Sequence, residues 1–377
     1  MAVVTTLLTD REWQYMDSVD PHAFPEIGRV EHMATDSKGN LYFTDPANAV
    51  IYIKQKDQIR IFAGRRGVAG YREEKRLRAL FDHPSGLAID ENDILYIADS
   101  SNHVIRTIDV KNPDDEKTRV RLFMGVPHGP GNKEGTRFIY NPENGNPPGV
   151  ARFRDPGALA IHNSILYIAD VSNFKIRTVR LTDPVPQTAL LLGGKSNIVP
   201  TVEGPAKDVS LRRPYAIAAG SSGASTVVFF LQYGDLNLWK LQDDHVTKVL
   251  MGDPHPDSGG IAISPVDNML YVSDVDNHKI TKLNISDGTY SVVAGSGDKG
   301  ILDGPVDTAK FANPTYLTVA NDGTIYVVDN NKFIRQITIP GAVAAQAQRA
   351  RKRQSRRLSR RLSRRRRTST RRSRFRR

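Results

Sequence analysis

The sequence predicts an all-β fold, a six-bladed β-propeller, from a repeated strand pattern, its spacing and the strands around it. A pattern of type Leu-Tyr-Ile-Ala-Asp ends at five aspartates, which lie 54, 71, 104 and 55 residues apart. The gap of 104 is twice 52, which indicates a degenerate sixth copy inside it. The five aspartates are Asp45, Asp99, Asp170, Asp274 and Asp329, and the sixth copy is expected at 227–231 and 236–241.

Each copy supplies four short strands. In the second copy they are predicted at 86–90, 94–98, 104–109 and 120–124, which are rich in β-branched and aromatic residues and separated by Gly, Asn and Asp. Four strands per unit at this period predict a propeller blade, and six units close a ring. The apolar residues at helical spacing that a helical solenoid requires are absent.

The last blade lacks its own fourth strand. Fourth strands are predicted at 58–63, 120–124, 188–192, 246–250 and 290–294, but the copy over 315–339 supplies only three. The apolar N-terminus, residues 2–8, is predicted to supply the missing strand, which would close the ring and cover a sheet edge. After it, Thr9 and Glu12 have the spacing of a capping box and predict a short helix.

The positive charge is concentrated at the C-terminus. Residues 349–377 hold sixteen Arg, one Lys and no acid, so the remaining 36 basic and 41 acidic residues give the body a charge of about −5. A segment with this charge and few large apolar side chains cannot form a core. We therefore predict a propeller over residues 1–340 and a disordered Ala/Arg/Ser-rich basic tail over 341–377.

Composition excludes several other kinds of protein. The chain has no cysteine, which excludes a disulfide framework and a thiolate metal site. It has no apolar run long enough to span a membrane, and its N-terminus lacks the basic flank and cleavage site of a signal peptide. We expect a monomeric propeller without a transmembrane segment, and nothing in the sequence indicates secretion.

Motifs around the repeats resemble those of the NHL-repeat family over about residues 30–340. They include Pro84-Ser85-Gly86-Leu87-Ala88-Ile89-Asp90, Asn173-Phe174-Lys175-Ile176-Arg177 and Asn277-His278-Lys279-Ile280. The resemblance implies a six-bladed propeller. It leaves the function open, because the family includes binding modules, RNA-binding proteins and a few enzymes.

The repeated Asp and Asn residues are interpreted as structural. In Asp-x-x-Asn, the carboxylate can accept turn N–H groups while the Asn adopts a left-handed or Asx-turn conformation. His103 and His278 follow the Asn in two copies and receive the same interpretation. A Gly/Pro/Asn-rich insertion at 126–150 is either a loop that contacts a partner or an unconstrained surface segment.

The mouth of the central channel is the predicted ligand site, because the first residues of the innermost strands converge there. These residues are His32, His83, Asp155, Arg213, Asp257 and Asn313. Related propellers, an amidating lyase and lactone hydrolases, hold a metal in this region, and Glu31, His32, His83 and Asp155 are the candidate ligands here. Arg213 would put a cation in the same ring. We therefore favour a polar entrance without catalytic residues or a cofactor.

The tail is predicted to bind nucleic acid or another polyanion, because each bound arginine releases a counterion and can fork onto a phosphate. The candidate residues are Arg356, Arg357, Arg360, Arg361, Arg364, Arg365, Arg366, Arg367, Arg371 and Arg372. Ser359, Ser363 and Ser369 follow paired arginines and are candidate phosphorylation sites. Nuclear import, binding to anionic membranes and simple solubilisation are the alternatives.

The prediction is a non-enzymatic scaffold in the nucleus, whose propeller docks a protein partner while its tail binds nucleic acid. The alternatives are a metal-dependent lyase or lactone hydrolase with a targeting tail, an RNA-binding propeller face, and a genome-packaging protein in the virion core of a large DNA virus. A cytoplasmic location is a further alternative. The RNA-binding alternative depends on a basic segment, residues 65–78, which is otherwise a solvated connector.

Overall fold

The computed structural model describes residues 1–7, 27–56, 58–136, 150–194, 200–249 and 259–339, apart from the side chain of Leu236. The predicted helix near Thr9, most of the insertion at 137–149, and Asp257 lie outside the described residues, as does the tail. Where the chain is described, none of its helices is long and apolar enough to cross a membrane.

The described chain forms six antiparallel sheets arranged as propeller blades, as predicted. Blades 1 to 3 each contain four strands in chain order. They are β2 Met33–Thr35, β3 Leu41–Asp45, β4 Val50–Gln55 and β5 Gln58–Gly64; β6 Pro84–Ile89, β7 Ile94–Asp99, β8 Val104–Asp109 and β9 Arg121–Gly125; and β10 Pro156–His162, β11 Ile165–Asp170, β12 Lys175–Arg180 and β13 Thr188–Gly193.

Blades 4 and 6 each gain a two-residue strand from the connector that precedes them. The strands are β14 Gly204–Pro205, β15 Pro214–Ser222, β16 Ser225–Gln232, β17 Asp235–Gln242 and β18 His245–Val249 in blade 4; β19 Ile261–Ile263, β20 Met269–Asp274, β21 Lys279–Asn284 and β22 Tyr290–Ala294 in blade 5; and β1 Val3–Thr6, β23 Gly304–Pro305, β24 Pro314–Val319, β25 Ile325–Asp329 and β26 Phe333–Thr338 in blade 6. Three 3₁₀ turns complete the elements, at Ser100–Asn102, Val171–Asn173 and Ala206–Asp208.

The repeated strand pattern is explained by packing between blades. Alternate residues of a strand point to opposite faces of its sheet. In β7, Leu95 and Ile97 pack into the core shared with blade 1, whereas Tyr96 and Ala98 pack into the core shared with blade 3. Because both faces are buried, the positions before the Asp of the motif are mostly apolar, with the buried Thr44 and Ser273 as exceptions, and each inter-blade core is a sandwich of two sheets.

The degenerate fourth blade is confirmed. Strands β16 and β17 contain the segments 227–231 and 236–241 that the spacing indicated. The predicted fourth strands agree with the structure to within one residue at either end. The innermost strands approach one another so closely that a Cβ on Gly86 would collide with the carbonyl oxygen of Gly157.

Closure of the ring by the N-terminus is confirmed. Strand β1 pairs antiparallel with β26, with Val3 opposite Thr338 and Thr6 opposite Arg335. Its outer edge pairs with β23, so the last blade does not end at β26. Val4 is completely buried in the core between blades 5 and 6.

The repeated aspartates hold the turns on the mouth side. Asp99 accepts hydrogen bonds from the backbone N–H of Asp82 at 2.8 Å and from the side-chain amide of Asn102 at 2.9 Å. Of the two conformations expected for the Asn, the left-handed one is not adopted by Asn102 or Asn173: the residue after each takes it, as His103 with φ of 60° and Phe174 with φ of 56° show. The side-chain amides of both Asn residues donate to the carboxylate of the repeated Asp.

Three blades add a completely buried arginine to this arrangement, namely Arg106, Arg177 and Arg335. Arg106 donates to the Asp99 carboxylate at 2.9 Å and to the carbonyl oxygens of Leu80 and Arg72 at 3.1 and 2.8 Å. The last two belong to the connector that precedes the blade. The guanidinium therefore joins the connector, the blade and the mouth turn at one point.

Candidate functional site

The mouth is built where each innermost strand begins. In four blades the innermost strand begins at a proline, and the residue just before the proline lies at the mouth, as in His83-Pro84 and Arg213-Pro214. His83 and Asp155 have φ values of 54° and 51°. This uncommon conformation turns the connector sharply into the strand and leaves the side chain at the channel entrance.

A cavity of about 250 Å³ opens at this mouth. Charged, hydroxyl and aromatic side chains line it. Among the described residues, they come from blades 1, 2, 3, 4 and 6 and from the segments directly before those blades, but not from blade 5. The polar and aromatic lining residues are Glu31, His32, His83, Ser85, Ser100, Ser101, Asp155, Arg213, Tyr215, Tyr233 and Tyr316.

The structure brings most of the predicted mouth residues together. Glu31, His32, His83, Asp155 and Arg213 all line the cavity. Asn313 is not among the lining residues, and its backbone N–H donates to the Asp329 carboxylate at 2.7 Å. The position of Asn313 before an innermost strand therefore predicted that it lies on the mouth side, but it did not predict whether its side chain lines the cavity.

Three tyrosines of the site were missed. Tyr215 and Tyr316 lie one and two residues after the prolines that begin β15 and β24, and Tyr233 directly follows β16. The ring centroids of Tyr215 and Tyr233 are 4.6 Å apart. The prolines at the strand starts were the signal that could have identified the first two.

Arg29 and Glu31 enter the site on a short segment held by blade 1. The backbone N–H groups of Gly28 and Arg29 donate to the Asp45 carboxylate at 2.8 and 3.1 Å. The Glu31 carboxylate is 6% exposed and lies 3.3 Å from the Arg29 guanidinium. Burial raises the pKa of Glu31, an effect that nearby His83 and Arg29 offset only in part.

The tyrosines stay neutral at physiological pH. Burial raises the pKa of Tyr316 and of Tyr233, and the Glu31 charge raises both further. Neutral phenols keep their O–H donors and their apolar ring faces. The site therefore combines hydrogen-bond donors and acceptors with aromatic surface at one opening.

His32 lies between the mouth cavity and a larger cavity of about 350 Å³ further along the channel, because it lines both. Its ring packs against Tyr316, with the centroids 4.5 Å apart. Burial lowers the pKa of His32 to about 4, so the imidazole is neutral at physiological pH. The His32–Tyr316 pair thus lies where the two cavities meet, since both residues line both of them.

The low pKa of His32 predicts a pH-dependent stability. Between pH 6.5 and about 4 the unfolded chain binds a proton at His32 that the folded chain does not bind, so the free energy of unfolding falls as the pH falls. The full shift corresponds to about 3 kcal/mol. In His32→Phe, which keeps the ring contact with Tyr316, this part of the pH dependence should disappear from denaturant unfolding curves. His245→Phe, at an exposed position, is the control, and an unchanged slope in His32→Phe would contradict the assignment.

The candidate metal ligands do not form a metal site. Within the described ranges, no three His, Asp or Glu side chains lie close enough together to hold an ion. The Asp155 carboxylate lies 3.3 Å from the Nδ1 of His103, and the His32 ring packs on Tyr316. Glu31, His32, His83 and Asp155 therefore share a cavity, but the residues present do not fit a bound metal.

The basic segment at 65–78 is a packed connector, so the expectation that it is solvated is wrong in part. Arg76 is 4% exposed and donates to the carbonyl oxygen of Phe62 at 2.8 Å. The Tyr71 ring lies 4.5 Å from the Arg106 guanidinium, and its hydroxyl donates to Glu73. Through these contacts the segment connects blade 1 to blade 2. Several of its cations are nevertheless exposed.

The described start of the insertion has a similar role. Arg177 donates to the carbonyl oxygen of Lys133 at 2.8 Å, and Glu134 lies 3.1 Å from the same guanidinium. Thr136 bridges Gln187 beside the outer strand of blade 3. Residues 126–136 are therefore fastened to blade 3. The arginine and serine candidates of the tail lie outside the described residues.

Comparisons with known proteins agree with this class of fold, a six-bladed propeller with an open mouth. A family model described as the teneurin NHL domain matches residues 192–360, and the NHL repeat model matches residues 81–107. NHL repeat-containing protein 2 of Homo sapiens is 25% identical over 282 residues, which are 67% of this chain and 38% of that protein. The chain belongs to the NHL-repeat β-propeller family.

Other relatives show how far the similarity extends. Protein SUPPRESSOR OF QUENCHING 1, chloroplastic, of Arabidopsis thaliana is 24% identical over 297 residues, 73% of this chain and 27% of that protein. The chain thus spans well under half the length of these curated relatives. Among solved structures, an auxiliary nutrient binding protein of Bacteroides ovatus superposes with a TM-score of 0.56 at 14% identity, covering 89% of this chain and 76% of the other. A gluconolactonase of Xanthomonas campestris gives 0.53 at 12% identity, covering 90% of each chain. Likeness at this identity shows the fold alone.

Proposed function

We propose that the protein is a non-enzymatic interaction scaffold, in which the mouth of the propeller docks a protein partner and the Arg-rich tail binds nucleic acid. The proposal places the protein in the nucleus and puts the boundary between the two functional parts at residue 340. Its two activities use separate parts of the chain, so each can be tested without the other.

The observation that carries the docking function is the exposed aromatic and arginine pair at the mouth. Tyr233 is 48% exposed. The Arg213 guanidinium lies 5.7 Å from its ring centroid, and the Tyr215 ring packs against the same ring with the centroids 4.6 Å apart. Tyrosine and arginine are enriched among residues that dominate binding energy at protein interfaces. The cavity beside them offers a partner side chain both charged groups and aromatic faces.

An enzyme at the same mouth is less well supported. The candidate ligands do not form a metal cluster in the described chain, and Arg29 lies beside the buried Glu31 carboxylate. Glu31 therefore has a charge partner from its own chain. Arg29 opposes the rise in pKa that burial gives Glu31, and a raised pKa is what suits a carboxylate to act as a general base.

The tail function is carried by charge. Seventeen cations in 29 residues give this segment the composition of a nucleic-acid-binding arm. Phosphates along a duplex are closely spaced, and release of their condensed counterions drives binding without sequence preference. Phosphorylation of Ser359, Ser363 or Ser369 would each remove roughly 1.5–2 charges and so weaken that binding.

Photocrosslinking at the mouth tests the docking function. A benzophenone amino acid at position 233 should crosslink to a discrete protein in extracts of the native source, with and without nuclease treatment. The matched control is the same amino acid at position 290, because Tyr290 is 46% exposed but lies on the outer strand of blade 5. A protein adduct that is equally strong at both positions, or lost on nuclease treatment, would contradict docking at the mouth.

A further inference from the structure

The two faces of the propeller carry opposite charge. The innermost strands begin at the mouth, so the turn after each one, and the turn between the third and fourth strands, lie on the opposite face. We call this opposite face the acidic face. Its exposed carboxylates belong to Glu91, Asp109, Asp114, Asp115, Glu116, Asp183, Asp243, Asp244, Asp267, Asp287 and Asp322. In the described residues of the same turns, the exposed cations are Lys38, Lys56, Lys111, Lys117, Arg119 and Arg180.

The mouth side has the reverse balance. In the described connectors that join one blade to the next, and in the turns before each third strand, the exposed cations are Arg29, Arg65, Arg66, Arg72, Lys75, Arg78, Lys133, Arg154, Lys207, Arg213, Lys299 and Lys332, whereas the exposed acids are Glu73, Glu203, Asp208, Asp276, Asp298, Asp303 and Asp307. Asp298 is bonded to Lys310 at 2.9 Å. The negative charge of the body is therefore displaced to one face, and a cationic segment is attracted to that face and repelled from the mouth.

The chain leaves the fold on the acidic face. Strand β26 is the third strand of blade 6 and starts after the mouth turn at Asn330 and Asn331, both left-handed. It runs away from the mouth, with Ile337 opposite Ile325 at the far end of β25. Ile339 is thus the last described residue at this end, and nine residues separate it from Arg349, where the run of seventeen cations begins.

We propose that the acidic face holds the Arg-rich segment 349–377 of the same chain. A nine-residue connection tethers the segment beside this face, at an effective concentration in the millimolar range. Individual surface ion pairs are weak. Several made at once by a tethered segment are nevertheless enough to keep it on the face at low ionic strength, and salt weakens them because they are exposed.

In this arrangement the acidic face binds the tail reversibly, and a competing polyanion releases it. Duplex nucleic acid carries one charge per ~1.7 Å and releases counterions when it is bound, so it displaces the tail from a face whose charges are more widely spaced. Smaller or less charged anions do not. The acidic face would thereby set the charge that a polyanion must carry to displace the tail. The contact between the tail and the face does not itself require nucleic acid, so it can be tested without it.

Lys352 provides the test, because it is the only lysine in 349–377. A carbodiimide joins amines to carboxylates only when they are in contact. In the full-length protein at low salt, crosslinks from Lys352 should map to the carboxylates of the acidic face and be lost at high salt. Lys352→Arg, which keeps the charge, should lose them. Absence of such crosslinks, equal yields at Asp276 on the mouth side, or crosslinks only between two copies of the chain would each overturn the proposal.

A charge-neutralised face gives a second measurement. Glu91→Gln, Glu116→Gln, Asp243→Asn and Asp244→Asn combined should lower the yield of Lys352 crosslinks to the carboxylates of that face that are left unchanged. The last two positions have φ values of 49° and 61°, which asparagine adopts readily, so the fold should be retained. Asp276→Asn is the control and should leave the crosslinks unchanged. A neutralised face that still crosslinks Lys352 at the original yield would also overturn the proposal.

Discussion

Deletion of residues 2–7 is expected to destabilise the whole propeller by several kcal/mol, or to cause aggregation. The deletion removes both hydrogen-bonded edges of β1 and exposes β26 as an unpaired strand. It also removes Val4 from the core between blades 5 and 6, and the bonds from Thr6 to the Asp303 carboxylate at 2.8 Å. Thermal unfolding monitored by circular dichroism measures the loss.

Single substitutions in β1 test whether the loss of stability comes from its buried side chain. Val4→Asp places an unpaired charge in the core and should cost about 3–5 kcal/mol. Thr5→Asp, at the exposed neighbouring position, should change stability by no more than about 0.5 kcal/mol. Equal effects of the two substitutions, or an unchanged melt after the deletion, would show that β1 does not close the ring.

Arg106→Met is expected to cost about 3–5 kcal/mol at neutral pH, because it leaves the Asp99 carboxylate buried without its cation. The substitution also removes the donors to the carbonyl oxygens of Leu80 and Arg72. Arg106→Lys keeps a charge but lacks the planar fork that reaches all three acceptors, so its cost should be intermediate. Arg121→Met, at an exposed position on the next strand, is the matched control and should be nearly neutral.

The pH dependence of this cost has a definite sign. Burial raises the pKa of Asp99 to about 6 even though Arg106 lowers it, and loss of Arg106 raises it further. A carboxyl whose pKa is higher in the folded than in the unfolded chain destabilises the fold most at pH values above that pKa. The difference between wild type and Arg106→Met should therefore shrink as the pH falls from 7 toward 5. A difference that grows on acidification would contradict this account of the pair.

The architecture was predictable because the second strand of every blade must be buried on both faces, so the same sequence pattern recurs in each blade. Leu95 and Tyr96 face different cores, so consecutive positions before the Asp of the motif are mostly apolar, and the spacing of the motif gives the number of blades. The closing strand was predictable because the last blade needs one more strand than its own segment supplies. The mouth residues were placed by the same logic, since Arg213 and Asp155 directly precede an innermost strand.

The connector contacts were not predictable in this way. Arg106 bonds to residues 26 and 34 positions earlier, and the repeat does not show where a connector of variable length folds back. The same arginine position holds Tyr52 in blade 1 and Thr281 in blade 5, opposite Phe43 and Val272. The tyrosines of the mouth were missed for a related reason, because they belong to single blades rather than to the repeat.

The central claim, that propeller and tail bind separately, is tested most directly by the salt dependence of nucleic-acid binding. If about eight of the tail's cations contact phosphates, log K against log salt for the full-length protein on duplex DNA should have a slope of roughly −7, whatever the DNA sequence. The chain ending at Pro340 should not bind, and at a salt concentration that releases the tail from the acidic face it should have the melting temperature of the full-length protein. Phosphorylation of Ser359 and Ser363, which removes roughly 3–4 charges, should flatten the slope. Binding that is insensitive to salt, or that survives the truncation, would contradict the claim and place the nucleic-acid site on the propeller.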